Sequence, residues 1–145
     1  AAFKEGERVL VQEFVKGIEV TCPVLDSDKN VRALPVIEIV PKGGTFFDYK
    51  AKYAKGGSDE IVPARISNVL TKRVQEFAIQ AHIVLGCAGL SRTDMIIRGK
   101  EIVMLETNTL PGMTEASLVP KAARAAGIAF PKLLDSLIQA ALEKK

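Results

Sequence analysis

Two alternating runs divided by turn chemistry decide most of what the N-terminal third of this chain can become. Residues 18–25 and 31–40 each alternate apolar with other side chains, and the intervening Asp26-Ser27-Asp28-Lys29-Asn30 is built from residues that favour tight turns. A period of two sends successive side chains to opposite faces, so two half-buried antiparallel strands joined as a hairpin are predicted. Upstream, residues 8–14 (RVLVQEF) are rich in β-formers and predict one more strand, turning at Lys16-Gly17. A three-stranded meander is the expected opening.

The period then changes. Between Pro41 and Pro63, Lys-Gly-Gly triplets starting at Lys42 and Lys55 bracket FFDYKAKYA, and no apolar period is sustained. This predicts a long loop at about 41–63, of a length that in compact domains is usually either a functional lid or disordered. From Ser67, a suitable N-cap, Val69, Leu70, Val74, Phe77, Ala78, Ala81, Val84 and Leu85 recur at helical spacing until Gly86. Residues 89–97 and 100–105 then read as a second hairpin about Arg98-Gly99-Lys100. Ser117 is expected to cap a short helix through Ala126. Pro131 suits the start of a last helix with Leu133, Leu134, Leu137, Ile138, Ala141 and Leu142 as its stripe. Strands and helices are segregated, which argues for an α+β fold with a mostly antiparallel sheet.

Composition narrows the function. Among 145 residues, 20 Lys+Arg against 17 Asp+Glu leave a net charge of +3, too small a surplus to favour nucleic acid as a partner. Cys22 and Cys87 are far apart in apolar contexts, which suggests neither a disulfide framework nor a zinc site and makes a reducing cytoplasm the default. No apolar run approaches the roughly 18 residues of a membrane span, so membrane insertion is not expected. The sequence opens at Ala1 without Met, which leaves a piece of a larger polypeptide and ordinary N-terminal processing both open.

The sharpest constellation lies on the second hairpin. Arg92 and Asp94 are two apart on one strand, and Glu106 and Asn108 are two apart at the end of the next. A three-residue turn at Arg98 to Lys100 pairs Ile97 with Glu101, places Arg92 opposite Glu106, and brings Asp94 and Asn108 to the same face. A two-residue turn would instead separate the carboxylates. Two carboxylates and an amide oxygen are hard ligands that suit Mg²⁺, with water and phosphate oxygens completing its shell, so a nucleotide site follows. The same spacing is met by a cross-strand Arg92–Glu106 ion pair with Asp94 and Asn108 solvated. Lys50, Lys52 and Lys55, interleaved with Tyr49 and Tyr53, read either as a phosphate grip or as a solvated basic loop. Neither Lys-Gly-Gly triplet has the spacing of a Walker or dinucleotide motif. His82, the only histidine, has no Cys or His neighbours and reads as structural.

The run ETNTLPGMTEASLVP, residues 106–120, resembles the C-terminal signature of D-alanine:D-alanine ligases, members of the ATP-grasp superfamily. Residues 9–14 (VLVQEF), 17–19 (GIE), 47–53 (FDYKAKY) and 91–94 (SRTD) also occur in the family's order. The resemblance implies that residues 1–145 form the C-terminal ATP-grasp subdomain of such a ligase. The N-terminal substrate domain and the other half of the ATP-grasp fold have no counterpart here, and the chain alone is expected to be inactive.

Residue by residue, the resemblance implies that Asp94, Glu106 and Asn108 bind magnesium (or manganese), with Glu106 bridging two ions. Gln12, Glu13, Phe14 and Val15 match the adenine-binding hinge, Glu19 the ribose-binding carboxylate, and Lys52 a phosphate contact in the family's mobile loop, to whose lid Tyr53 belongs. Arg92 and the backbone of Gly112 resemble the groups that stabilise the tetrahedral intermediate, while Ser117 and Leu118 match residues holding the second D-alanine. Gln12 stands where many members carry an acidic residue, which keeps an acceptor for the adenine amino group and removes a charge. The implied reaction consumes ATP and D-alanine to make D-alanyl-D-alanine for peptidoglycan, in the cytoplasm, by an enzyme that is a homodimer when complete. A ligase taking D-lactate or D-serine second, or a non-catalytic nucleotide-binding or interaction fragment, are the competing readings.

Overall fold

The spine of the sheet is β1 (Ile18–Ser27), flanked on both edges. The computed structural model describes residues 2–27, 30–42 and 57–143. Along one edge β1 pairs with β5 (Leu90–Arg98), from Ile18 opposite Ile97 to Leu25 opposite Leu90. Along the other it pairs with β2 (Asn30–Ala33) towards its end and with β3 (Ile37–Pro41) towards its start. β4 (Ser58–Ile61) adds to β3 and β6 (Glu101–Asn108) to β5, giving six strands in the order β4-β3-β1-β5-β6 with β2 beside β1. Every pairing among the described residues is antiparallel. With α1 (Asn68–Val84), α2 (Leu118–Ala125) and α3 (Phe130–Glu143), this is the expected α+β architecture.

The period of two sorts the sheet's side chains between two cores. Val20, Cys22, Val24, Met95, Ile97 and Ile102 bury one face against Val74 and Ala78 of α1. Leu25, Ile37 and Leu90 turn the other way and are covered by Val119, Ala122 and Ala123 of α2 and Leu133 of α3. Burial on this scale, at about 25 cal/mol per Å² of apolar surface, drives both layers together. Glu19, Thr21, Arg92 and Asp94 share the parity of the second face but lie along β1 and β5 beside that apolar cluster. They line a recess at its border, shared with Ile39 and Leu118.

Several expectations change. Residues 8–14 form no strand: Leu10, Val11 and Phe14 are 81%, 87% and 71% exposed, and only the following Val15 is buried. Strand propensity needs a partner and a packed face, and none of the described strands supplies one. Gly17 is therefore no hairpin corner. A Cβ there would stand 2.3 Å from the Ile97 carbonyl oxygen, so the position serves the close approach of the entering chain to β5.

The third strand divides into β2 and β3 because Pro35, which has no N–H, falls between them, and the Leu34 N–H instead donates to the Pro23 carbonyl. The expected loop at 41–63 ends in β4, which pairs with β3 from Pro41–Ser58 to Glu38–Ile61. Glu38, 8% exposed, accepts hydrogen bonds from the Arg65 backbone N–H, Nε and Nη2 at 3.1, 2.9 and 2.7 Å.

Helix α1 follows its capping signals more closely. Ser67 Oγ accepts the Leu70 N–H at 3.3 Å at the start of α1, and Gly86, at φ 64°, follows its end. His82 is buried as a structural residue, its Nδ1 2.8 Å from Ser91 Oγ. Of the stripe predicted for α3, Leu133 is fully buried whereas Ile138 and Leu142 are 57% and 58% exposed. Among the described residues no single helix is long and apolar enough to cross a membrane.

Candidate functional site

The second hairpin reaches the predicted juxtaposition by a different route. Its turn has two residues, Gly99 and Lys100, with Arg98 opposite Glu101. That register, continued, would put Leu105 opposite Asp94. Instead the ladder shifts between Asp94 and Met95: Met95 faces Met104, but Asp94 faces Glu106, so Leu105 is the extra residue of a β-bulge. The bulge reverses the parity of the end of β6. Thr93 and Thr107 meet on the α1 side with their hydroxyls 3.0 Å apart, while Asp94, Glu106, Arg92 and Asn108 take the other face. The predicted three-residue turn, with Arg92 opposite Glu106, is thus corrected to Arg92 opposite Asn108 and Asp94 opposite Glu106.

Arg92 is paired along its own strand. It clamps Asp94, Nε to Oδ1 at 2.8 Å and Nη2 to Oδ2 at 2.7 Å, with both side chains largely buried. From β1, the Thr21 hydroxyl donates to Asp94 Oδ1 at 2.5 Å. A carboxylate has about four lone-pair sites. These bonds take both on Oδ1 and one on Oδ2, which leaves Oδ2 able to accept one more partner. Asn108 Oδ1 accepts the Leu110 N–H at 2.9 Å and so starts the loop that leads to Gly112.

These donors fit a hard divalent cation. Among the described residues no three His, Cys, Asp or Glu side chains gather as a metal-binding group. A cation here would take one Asp94 oxygen, Glu106 and the Asn108 amide, and fill its shell with water or phosphate oxygens, as Mg²⁺ commonly does.

The other predicted residues fall into order along β1. Glu13, just before the strand, accepts Arg98 Nη1 at 2.8 Å, which ties the segment of Gln12, Glu13, Phe14 and Val15 to the turn end of β5. That bond, with a second to Glu101, raises the Arg98 pKa above its ordinary value. Glu19 lies opposite Ile96, and Thr21, two residues or about 7 Å further along, lies opposite Asp94. Glu19, Thr21, Arg92, Asp94 and Leu118 line one cavity of about 80 Å³, closed from β4 by Ser58 and Glu60. Lys52 and Tyr53 lie outside the described residues.

Ser117 occupies the N-cap position of α2 without capping it. Its Oγ accepts the Thr114 N–H at 3.2 Å and lies 2.8 Å from the Thr114 hydroxyl. The loop between them folds back so tightly that a Cβ on Gly112 would stand 3.0 Å from that Oγ. Gly112, Ser117 and Leu118 are thereby assembled as one corner, and Leu118 joins it to the cavity of Asp94. A larger, mainly apolar cavity of about 310 Å³ opens beyond this loop, between Leu110, Met113 and Leu137.

Sequence reasoning missed three contributors: Thr21, and the Glu60–Lys121 ion pair that pins β4 to α2 at the cavity wall. Thr21 was within reach, since it stands two residues from Glu19 on an alternating strand. Lys121 and Glu60 were not, because β4 has no alternating apolar pattern to announce it.

Comparison with known proteins gives the family. The family model described as D-ala D-ala ligase C-terminus matches residues 1–139. A D-alanine–D-alanine ligase of Syntrophobacter fumaroxidans is 56% identical over 137 residues, covering 94% of this chain and 44% of that protein. The chain therefore spans less than half the length of such relatives. Among solved structures, the D-alanine–D-alanine ligase of Bacillus anthracis complexed with ATP superposes with a TM-score of 0.73 at 35% identity, over 90% of this chain and 40% of that one. The VanG D-Ala:D-Ser ligase of Enterococcus faecalis gives 0.71 at 40% identity, over 87% and 36%. A match over residues 1–139, which takes in the segment of Gln12 to Val15, the bulged hairpin and the Gly112 loop alike, makes this chain a member of the D-alanine–D-alanine ligase family, within its C-terminal part.

Proposed function

We propose that this chain is the C-terminal ATP-grasp subdomain of a longer, ADP-forming ligase that joins two D-alanines through an acyl-phosphate. The observation that carries the reading is the opposition of Asp94 and Glu106 across a bulged hairpin, at the end of a polar strip that begins beside the hinge and passes Glu19. Adenine would lie along Gln12 to Val15 and ribose at Glu19, so that the phosphates reach Asp94, Glu106 and Asn108. A bound Mg²⁺ or Mn²⁺ would neutralise phosphate oxygens there. Lys52 and Tyr53 take the phosphate contact and the lid in this reading.

The carboxylate of the first D-alanine attacks the γ-phosphorus and ADP departs. The amine of the second then attacks the acyl carbon, and phosphate leaves as the amine gives up a proton. Arg92 and the Gly112 N–H supply a cation and a donor where the tetrahedral oxyanion develops, and Ser117 and Leu118 hold the second substrate. The first D-alanine and the rest of the ATP cradle belong to the preceding part of the polypeptide, and the complete enzyme is read as a cytoplasmic homodimer. The likeness to VanG keeps D-serine as an alternative second substrate.

The test is product analysis with the full-length polypeptide, ATP, Mg²⁺ and D-alanine, with and without D-serine or D-lactate as competitor. D-alanyl-D-alanine formed in step with ADP and phosphate is the expected result. A mixed product as the major species would reassign the second substrate, and ADP release independent of any D-amino acid would overturn the ligase reading. The isolated chain is expected to release no phosphate.

A further inference from the structure

Thr21 has a contact that none of the roles above uses. It is 2% exposed in the middle of β1, directly opposite Asp94, and its hydroxyl donates to Asp94 Oδ1 at 2.5 Å. The same oxygen atom stands 3.3 Å from the Thr93 carbonyl. A hydroxyl has one proton, and the shorter contact, to a charged acceptor, is the stronger claim on it. Asp94 is thus held from two sides, by the Arg92 fork along its own strand and by Thr21 from the neighbouring strand.

Each grip does something different. Arg92 binds both oxygens and sets the plane of the carboxylate, yet its side chain starts from the same strand and moves with it. Thr21 is anchored on β1, whose flanks Val20 and Cys22 are fully buried, so its bond fixes that plane relative to the sheet. With both sites on Oδ1 occupied, the one remaining site is on Oδ2. The carboxylate can offer a cation a single oxygen in a single direction.

We infer that Thr21 is a positioning residue for the cation site: its hydroxyl holds Asp94 so that only Oδ2 is presented to a divalent ion. The inference rests on the proposed reading of Asp94 as a metal ligand. Partners of this kind orient ligands they do not replace, and losing one weakens metal binding about 10–100-fold.

The experiment compares Thr21→Val, Thr21→Ser and Asp94→Asn in the full-length polypeptide. Calorimetry measures the affinity for a non-hydrolysable ATP analogue without metal and then across a Mn²⁺ series. Thr21→Val, which keeps the shape and removes the proton, is expected to raise the half-saturating Mn²⁺ concentration at least about tenfold and to leave metal-free nucleotide affinity unchanged. Thr21→Ser is expected to stay close to the parent. A merely structural Thr21 would lower both affinities together or neither. Parental Mn²⁺ dependence in Thr21→Val, alongside a large shift in Asp94→Asn, would overturn the role of Thr21 and leave the metal site standing. No shift in Asp94→Asn would overturn the metal reading itself, and the inference with it. If Thr21→Val does not fold, Thr21→Ala makes the same comparison.

Discussion

Arg92 grips Asp94 from two positions away on the same strand, its Nε 2.8 Å from Oδ1 and its Nη2 2.7 Å from Oδ2. A guanidinium is planar and presents parallel donors, so the two bonds fix both groups at once. The cation proposed for the oxyanion and the carboxylate proposed for the metal are therefore one mechanical unit. Disturbing either disturbs both.

Arg92→Lys tests that coupling. Lysine keeps the charge but cannot make two parallel bonds to one carboxylate. In the full-length polypeptide, under the proposed function, the turnover number is expected to fall about 100-fold or more, the loss typical of one oxyanion donor, and the Mg²⁺ requirement is expected to rise with it. Steady-state ADP release over a range of Mg²⁺ measures both. A fall in turnover with an unchanged Mg²⁺ requirement would show that Asp94 does not depend on Arg92.

Glu106 offers a cleaner separation of chemistry from folding. It is exposed on β6 at the edge of the sheet, so Glu106→Gln is expected to shift the melting temperature by little more than an ordinary surface substitution. Turnover is expected to drop beyond the roughly 100-fold that loss of an outer partner costs a metal site. Near-normal turnover in a folded variant would remove Glu106 from the proposed cation site.

How far the sequence carried depends on which physical signal each residue leaves. The faces of β1 and β5 were legible because period-two alternation with one buried face specifies register strongly. The face shared by Asp94 and Glu106 was predicted from a turn one residue too long, and the strand turned out one residue longer at Leu105; the two differences cancel in parity. A bulge leaves no alternation of its own, so nothing in residues 101–108 announces it. Residues 8–14 look like a strand in composition, yet pairing is a tertiary property and they join none of the described strands. The proposed roles of Gln12 and Ser117 rest on resemblance to a family alone, since spacing does not distinguish a base-binding or substrate-binding residue from a turn residue or a helix cap.

Gly17→Ala addresses how the proposed adenine hinge is aimed. The added methyl carbon would lie 2.3 Å from the Ile97 carbonyl oxygen and 2.6 Å from Ile96 Cγ2, and the backbone of a paired strand cannot move aside cheaply. Overpacking of this kind costs about 1–3 kcal/mol, so the variant should melt several degrees below the parent. Nucleotide affinity should weaken as well, because the displaced chain carries Gln12 to Val15. Parental melting would mean that the approach of residue 17 to β5 is looser than the contact distances imply.

The two thiols should separate by reactivity. Cys22 is fully buried between sheet and α1, and burial pushes its pKa up to about 12. The thiolate is the reactive form, so Cys22 should resist alkylation at pH 8 in the native protein. Cys87, free and partly exposed after α1, should react. Mass spectrometry after a short iodoacetamide pulse should find the label on Cys87 in native protein and on both once denaturant is added. Rapid native labelling of Cys22 would indicate that the α1 layer opens easily.

Glu38 predicts how the fold responds to acid. The hydrogen bonds from Arg65 outweigh the cost of burial and hold the carboxyl below its ordinary 4.5. Its ionised form therefore favours the folded state, and the native state binds fewer protons than the unfolded state through this window. The stabilisation is complete above pH 4.5 and is lost as the pH falls through the depressed native value. Glu38→Gln removes that titration while keeping a similar shape. The gap in melting temperature between parent and variant should be widest near neutral pH, hold down to about pH 5, and close steadily below it. A gap that stays constant to pH 3 would mean that Glu38 supports β3 through packing alone, with no contribution from its charge.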